Sequence, residues 1–272
     1  MVGIQKITAS MKMVAAARLG KQERTTFASR PFAASLQAGF AAKNKELELE
    51  GKKQLVLLVT SDKGLCGALN STLVRPLQLE LRKTPGLISV ACVGVKGRNG
   101  LATSFRDSIM LHVSEFGKSP VSFMEASYVA DQILNPPPEE RREHDVIRLQ
   151  YNHYLNMVQS KPTDSKFASK VAFLDQPDML YKYEFEGGLK DEEVLGDLYD
   201  FLVGGSLFGA IMENQAAELG MRMSSMENAT KNCGEVLSGL RLVYNRQRQV
   251  GLVMDSFGVV SNENLRPRSQ PN

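Results

Sequence analysis

The stretch Thr60-Ser-Asp-Lys-Gly-Leu-Cys-Gly67 places a carboxylate, an amine, hydroxyls and a thiol close together. It follows an unbroken apolar run, Leu55-Val-Leu-Leu-Val59, which reads as a strand buried on both faces. A glycine turn between such a strand and a helix is where an α/β protein can cradle phosphate. The motif falls short of the known phosphate loops. No Gly-Lys-Ser/Thr closes it, and it lacks the Gly-x-Gly-x-x-Gly pattern. Asp62 and Lys63 could act as a catalytic pair of a nucleotide-binding α/β enzyme using the Asp62–Gly67 loop. The plainer reading, a charged surface pair on a connecting turn, is preferred. Gly94-Val-Lys-Gly-Arg-Asn-Gly100 follows a second strand and is read as a turn on the same grounds.

His112, His144 and His153 are scattered, and none has a metal-type neighbour at i+3 or i+4, so they are read as structural. Alternation puts His112 within a strand and His153 near a strand end. Nothing resembles a nucleophile elbow. Cys66, Cys92 and Cys233 are odd in number and fit no zinc spacing. They read as reduced thiols of a non-oxidising compartment, Cys233 as a small buried hydrophobe. No catalytic, cofactor-binding or metal set assembles. The net charge of +3 offers no support for nucleic acid or an anionic membrane as main partner. No apolar run reaches about eighteen residues, so no transmembrane helix is expected. Lys6 and Lys12 interrupt the scattered apolar residues of the N-terminus, which is no secretory signal.

The elements that would position such groups fall into three regions: 1–50, helical; 51–190, α/β; and 191–272, helical again. In the first, Ile4, Ile7, Met11 and Val14 keep a 3–4 spacing, and Pro31 is a candidate kink. In the second, strands are expected at 55–59, 88–93, 109–113, 146–154 and 170–174, with helices over Leu69–Arg82 and Val121–Leu134 between them. That alternation implies a mainly parallel sheet. Asn135-Pro-Pro-Pro-Glu-Glu-Arg-Arg reads as a loop.

The third region carries a heptad seam. Leu219, Met226, Cys233, Leu240, Gln247 and Met254 lie seven apart, and Arg222, Ala229, Val236, Val243, Val250 and Phe257 follow each by three. Gly204-Gly205 is read as a joint leading into it. A helix over this seam would be roughly 60 Å long, too long to hide in one small domain, so it must find a partner helix. The chain's own N-terminal helix is the simplest one, giving an antiparallel or similar two-helix rod on an α/β base. Arg222 and Gln247 in the seam read as register devices or as grips for another protein. Arg241, Arg246 and Arg248 form a solvated face or half of an interface with acidic loops. Pattern alone therefore gives a scaffold or mechanical part.

Four segments carry a resemblance. Lys6-Ile-Thr-Ala-Ser-Met-Lys-Met-Val-Ala-Ala-Ala-Arg18 resembles the N-terminal helix of the gamma subunit of F-type ATP synthase, and Ser61-Asp-Lys-Gly-Leu-Cys-Gly-Ala-Leu-Asn70 resembles that family's motif after the first central strand. Met221-Arg-Met-Ser-Ser-Met-Glu-Asn-Ala-Thr-Lys-Asn232 and Leu242-Val-Tyr-Asn-Arg-Gln-Arg-Gln249 are similar to its C-terminal helix. The resemblance implies an α/β fold in which long N- and C-terminal helices form an antiparallel coiled coil around a central Rossmann-like domain. It implies a non-catalytic rotor shaft with no cofactor. Its implied partners are a ring of alpha and beta subunits, the epsilon or delta subunit, and the membrane c-ring, with no nucleic acid. By the family pattern Met11, Arg222, Arg248 and Gln249 match positions facing the beta subunits, which turns Arg222 into an expected grip.

Several positions depart from the family. Val253 stands where the family has a threonine, Gln247 where it has a small residue, and Gly251 and Gly258 weaken the helix end by roughly 1 kcal/mol each. The chain also starts late against the pattern. Met1 is therefore expected to be internal to a longer chain that would carry any targeting segment. No cysteine pair like the chloroplast redox switch is present, which favours the mitochondrial inner membrane, matrix side, or the cytoplasmic side of a bacterial plasma membrane.

Overall fold

The computed structural model describes residues 2–44, 49–115, 121–137, 142–174 and 192–264, with side chains described for these except 39–44, 192 and 255–264. Two compact units form: Lys12–Ser225, and Met1–Met11 together with Met226–Asn272. The elements are α1 (Val2–Asn44), β1 (Gln54–Val59), α2 (Ser71–Lys83), β2 (Ile88–Val93), α3 (Val95–Ala102), β3 (Ile109–Val113), α4 (Phe123–Leu134), β4 (Val146–Tyr154), β5 (Ser160–Ala168), α5 (Lys170–Leu174) and α6 (Glu192–Asn264).

The larger unit is built on a sheet of order β3-β2-β1-β4-β5. β1 to β4 are parallel and β5 joins β4 antiparallel, from Val146 opposite Ala168 to Tyr154 opposite Ser160. β1 and β2 are buried along their whole length, as their unbroken apolar runs require. Val56, Leu58, Val90 and Cys92 face α2 and α3, through Leu73, Leu77 and Leu101. Leu55, Leu57, Ala91 and Leu149 face α4 and α6, through Val129, Ile133, Val203 and Leu207. Part of α6 is thus one layer of the domain. Burial pushes the Cys92 thiol up to about 12, so it is an inert core residue, and no disulfide joins the three cysteines.

Several expectations are corrected. Lys170–Leu174 is a helical turn, not a strand: Phe173 N–H bonds Ser169 O at 2.9 Å, and a short apolar run does not distinguish the two states. The 94–100 segment is largely helix α3, entered through Gly94 at φ +105°. Gly204-Gly205 is no joint, because α6 runs through it unbroken. The pair serves close packing instead: a Cβ at Gly205 would meet Leu36 Cδ1 at 2.0 Å, and one at Gly209 would meet Ala33 Cβ at 2.5 Å. α1 likewise continues through Pro31. In the proline-rich loop, 138–141 lie outside the described residues.

The seam is packed over only part of its length. In the smaller unit Met226 is buried and Cys233 half-buried, whereas Val236, Leu240, Val243, Val250 and Met254 are 48–69% exposed. Thr230 Oγ1 donates to Thr8 Oγ1 at 2.8 Å, and a Cβ at Gly234 would meet Gln5 Nε2 at 3.3 Å, so the pairing is antiparallel. The burial of Phe257 lies outside the described residues.

Gly209→Ala is expected to cost about 1–3 kcal/mol, because the methyl of Ala33 sits on rigid backbone and cannot swing away. Gly239→Ala, with nothing within 4 Å, is expected to stabilise by up to about 1 kcal/mol. Denaturant unfolding of the two variants checks the opposite signs.

Candidate functional site

The Thr60–Gly67 loop lies at the carboxyl ends of the parallel strands, beside the point between β1 and β4 where strand order reverses. Its polar groups are turned on one another. Ser61 N–H donates to Asn70 Oδ1 at 3.0 Å, Asn70 Nδ2 donates to Ser61 Oγ at 2.8 Å, and Ser61 Oγ donates to Lys63 O at 2.7 Å. Thr60 Oγ1 accepts from Gly97 N–H at 2.9 Å. Asp62 Oδ1 accepts from Val95 N–H, the first amide of α3, at 3.1 Å. A carboxylate of the chain itself thus occupies the N-terminus of α3, the helix that follows β2. The charged groups lining the adjoining cavity, about 270 Å³, are Asp62, Glu115 and Glu218 against Lys63, set among apolar side chains such as Val59, Val93 and Ile211. No group of metal-ligating side chains occurs among the described residues. His112 lies in β3 and His153 next to the end of β4, as expected. Burial lowers the affinity of His112 and His144 for a proton, which keeps both neutral.

The loop instead seats α6. Gly64 O accepts from Arg222 Nε and Nη2, both at 3.3 Å. A side chain at Gly67 would meet Ser225 Oγ at 2.9 Å, and Gly67 itself sits at φ +59°. The hairpin between β4 and β5 approaches the same helix at Gly220, where a Cβ would lie 3.1 Å from Met157 O.

The four positions expected to face a partner are divided between the two units. Arg222 belongs to the larger unit, and its side chain is 11% exposed, paired with Glu218 at 2.5 Å. Burial holds the Glu218 carboxyl above the ordinary carboxylate range, and Arg222 opposes that rise. Met11, Arg248 and Gln249 belong to the smaller unit, Met11 half-buried and the other two exposed. Thr8 pairs with Thr230, so Met11 sits near the level of Glu227, about 30 Å below Arg248 along the helix. Sequence reasoning missed the exposed side chains Leu242, Tyr244 and Leu252, which lie off the seam.

Residues 2–254 match the family model described as ATP synthase. The chain is 34% identical to ATP synthase subunit gamma, mitochondrial, of Arabidopsis thaliana over 271 residues, which is 95% of this chain and 80% of that protein. It is 30% identical to the ATP synthase gamma chain of Pelagibacter ubique, covering 94% and 92% of the two chains. Among solved structures it is similar to a chain of the central stalk and c-ring of the Tetrahymena thermophila mitochondrial ATP synthase, at 26% identity and a TM-score of 0.69, over 82% of this chain and 99% of that one. The rotor of the Euglena gracilis enzyme shares the fold at a TM-score of 0.73 and 22% identity, over 91% and 93%. The antiparallel pairing of the terminal helices, the mixed sheet between them and these matches agree along the length of the chain, which belongs to the ATP synthase gamma-subunit family.

Proposed function

We propose that this chain is the central rotor shaft of a proton-translocating F-type ATP synthase. It couples rotation of a membrane ring to conformational change at the catalytic beta subunits and is itself non-catalytic. The observation that carries the reading is α6: it is a layer of the α/β core at one end and continues as a helix with a bare apolar stripe at the other. In this reading 1–50 and 191–272 form the shaft and 51–190 the base. The partners are the alpha and beta subunits around the shaft, and the epsilon or delta subunit and c-ring at the base. Similarity to a chain of the central stalk and c-ring of a mitochondrial ATP synthase supports this. As part of F1 the chain is peripheral to a membrane. Relatives of mitochondrial and bacterial origin support the matrix side of the inner mitochondrial membrane, with the cytoplasmic side of a bacterial membrane as the alternative.

Magnitudes support the mechanism. Driving a two-state site from 1:99 to 99:1 takes about 5.5 kcal/mol of differential binding. Covering one large apolar side chain is worth roughly 1.5–3 kcal/mol. A shaft face that buries two or three of Leu240, Val243, Val250 and Met254 against one beta subunit, and not against the next, supplies that difference. Arg241 and Arg248, seven residues apart, put charge on another face of the same helix. We assign Met11, Arg222, Arg248 and Gln249 to beta-subunit contact. Arg222 would do so with the donors that Glu218 and Gly64 leave over. The nucleotide-binding reading of the Asp62–Gly67 loop is disfavoured by the carboxylate at the α3 N-terminus.

The tagged protein is expected to co-purify with alpha and beta subunits, and a purified complex without either overturns the reading. Arg248→Ala and Gln249→Ala are expected to lower ATP-driven proton pumping several-fold with little change in melting temperature. Unchanged pumping in both would remove the contact assignment. Arg222→Ala has a further signature. A carboxyl with a raised pKa favours folding only while protonated, below the ordinary glutamate value near about 4.3, and that stability is lost as pH rises through the folded value. Removing Arg222 raises the Glu218 pKa further. The variant's melting temperature should therefore fall more steeply than that of the parent as pH rises above the ordinary glutamate value, and parallel curves would contradict this.

A further inference from the structure

Glu213 is 6% exposed and lies where α1, α6 and the end of β4 meet. Its Oε1 accepts from Arg30 Nε at 2.6 Å and its Oε2 from Arg30 Nη2 at 3.1 Å, the two-pronged fork of guanidinium on carboxylate. The same Oε2 accepts the backbone N–H of Tyr154 at 2.9 Å, and His153 Nδ1 stands 3.2 Å away. Arg30 Nη2 also donates to the carbonyl of Tyr154 at 2.5 Å. Arg30 stacks over Phe27 at 4.5 Å, and Tyr154 Oη donates to Glu23 on the preceding turns of α1.

Two features separate this cluster from an ordinary buried ion pair. First, it holds both polar groups of one peptide-bearing residue, so it grips the backbone of the sheet and not the tip of a flexible side chain. Second, it sits at Arg30, immediately before Pro31. Proline removes one hydrogen bond from the ladder of α1 at this level and weakens the helix there. On the near side Thr26 Oγ1 donates to Met212 O at 3.1 Å and Asn152 Nδ2 to Asn214 Oδ1 at 3.2 Å, and the contacts past Pro31 are of another kind. Ala33 on Gly209 and Leu36 on Gly205 are apolar and non-directional; they resist separation of the helices but little resist one turning against the other. Hydrogen bonds fall off steeply with angle, and Arg–carboxylate forks add geometric specificity. Beyond the cluster, the Gln37–Tyr151 hydrogen bond ties α1 to the same strand.

We infer that Arg30, Glu213 and the Tyr154 backbone form a torque clasp that locks the rotation of the α/β domain to that of α1 and α6. The inference rests on the rotor reading above. None of the three residues touches a nucleotide or a catalytic subunit in this role; they are positioning residues whose effect is rotational stiffness.

The test uses the assembled enzyme, immobilised through its catalytic ring, with a probe particle attached to the α/β domain. The readout is the width of the probe's angular fluctuation within each pause during ATP hydrolysis. In Glu213→Gln the angular variance is expected to about double, since charge-assisted hydrogen bonds are about twice as strong as neutral ones. ATP turnover by the ring should remain close to that of the parent enzyme. Arg30→Lys, which keeps the charge and loses the fork, is expected to broaden the distribution as well, and it carries the test if the glutamine variant does not assemble. Unchanged widths in an assembled variant overturn the clasp even if its melting temperature falls. A parent enzyme whose probe does not turn against the ring overturns the rotor reading itself.

Discussion

One helix has to satisfy two surroundings. Within the larger unit, α6 is enclosed by the sheet, by α4 and by α1, and its residues there include Gly204, Gly205, Ser206, Gly209, Ala210, Ala216 and Ala217. Small side chains let three layers close around one axis without voids. Further along, among the described residues, the same helix carries exposed large apolar and cationic side chains. Everything else in the fold serves this transition. The Thr60–Gly67 turn, the β4–β5 hairpin and the Arg30–Glu213 pair all hold α6 within the stretch where it is enclosed.

The sheet is stiffened by a second buried charge. Arg148, on β4, is bonded to Glu80 on α2 at 2.7 Å, to Gln54 on β1 at 3.0 Å, and to Asp164 on β5. These hydrogen bonds raise its proton affinity despite the desolvation that opposes it. Removing one partner would leave a buried charge uncompensated, which typically costs about 3–5 kcal/mol. The pair of charged knots, Arg148 on one side of β4 and Glu213 near its end, makes that strand the spine to which helices on both faces are fixed.

Much of this was legible from residues alone, for identifiable reasons. β1 and β2 are largely apolar because both faces are covered, and the long helices announce themselves by 3–4 spacing. β5 was not legible. Ser160-Lys-Pro-Thr-Asp-Ser-Lys-Phe-Ala168 is a largely exposed edge strand, and Pro162 is tolerated there because one edge needs no partner. The glycine pair at 204–205 looks like a break because propensity knows nothing of Leu36 packed against it. The heptad pattern located a stripe on α6 but could not say how far α1 reaches to cover it. Arg30, Tyr154 and Glu213 lie far apart in sequence, and no local pattern joins them. The resemblance alone supplied the four positions expected to face a partner, and the fold adds that Arg222 is already engaged by its own chain.

Asp62 has a further consequence. With a carboxylate held on the first amide of α3, the cavity at the strand ends carries charge of the chain's own, so an anion entering there meets repulsion before it meets a free helix end.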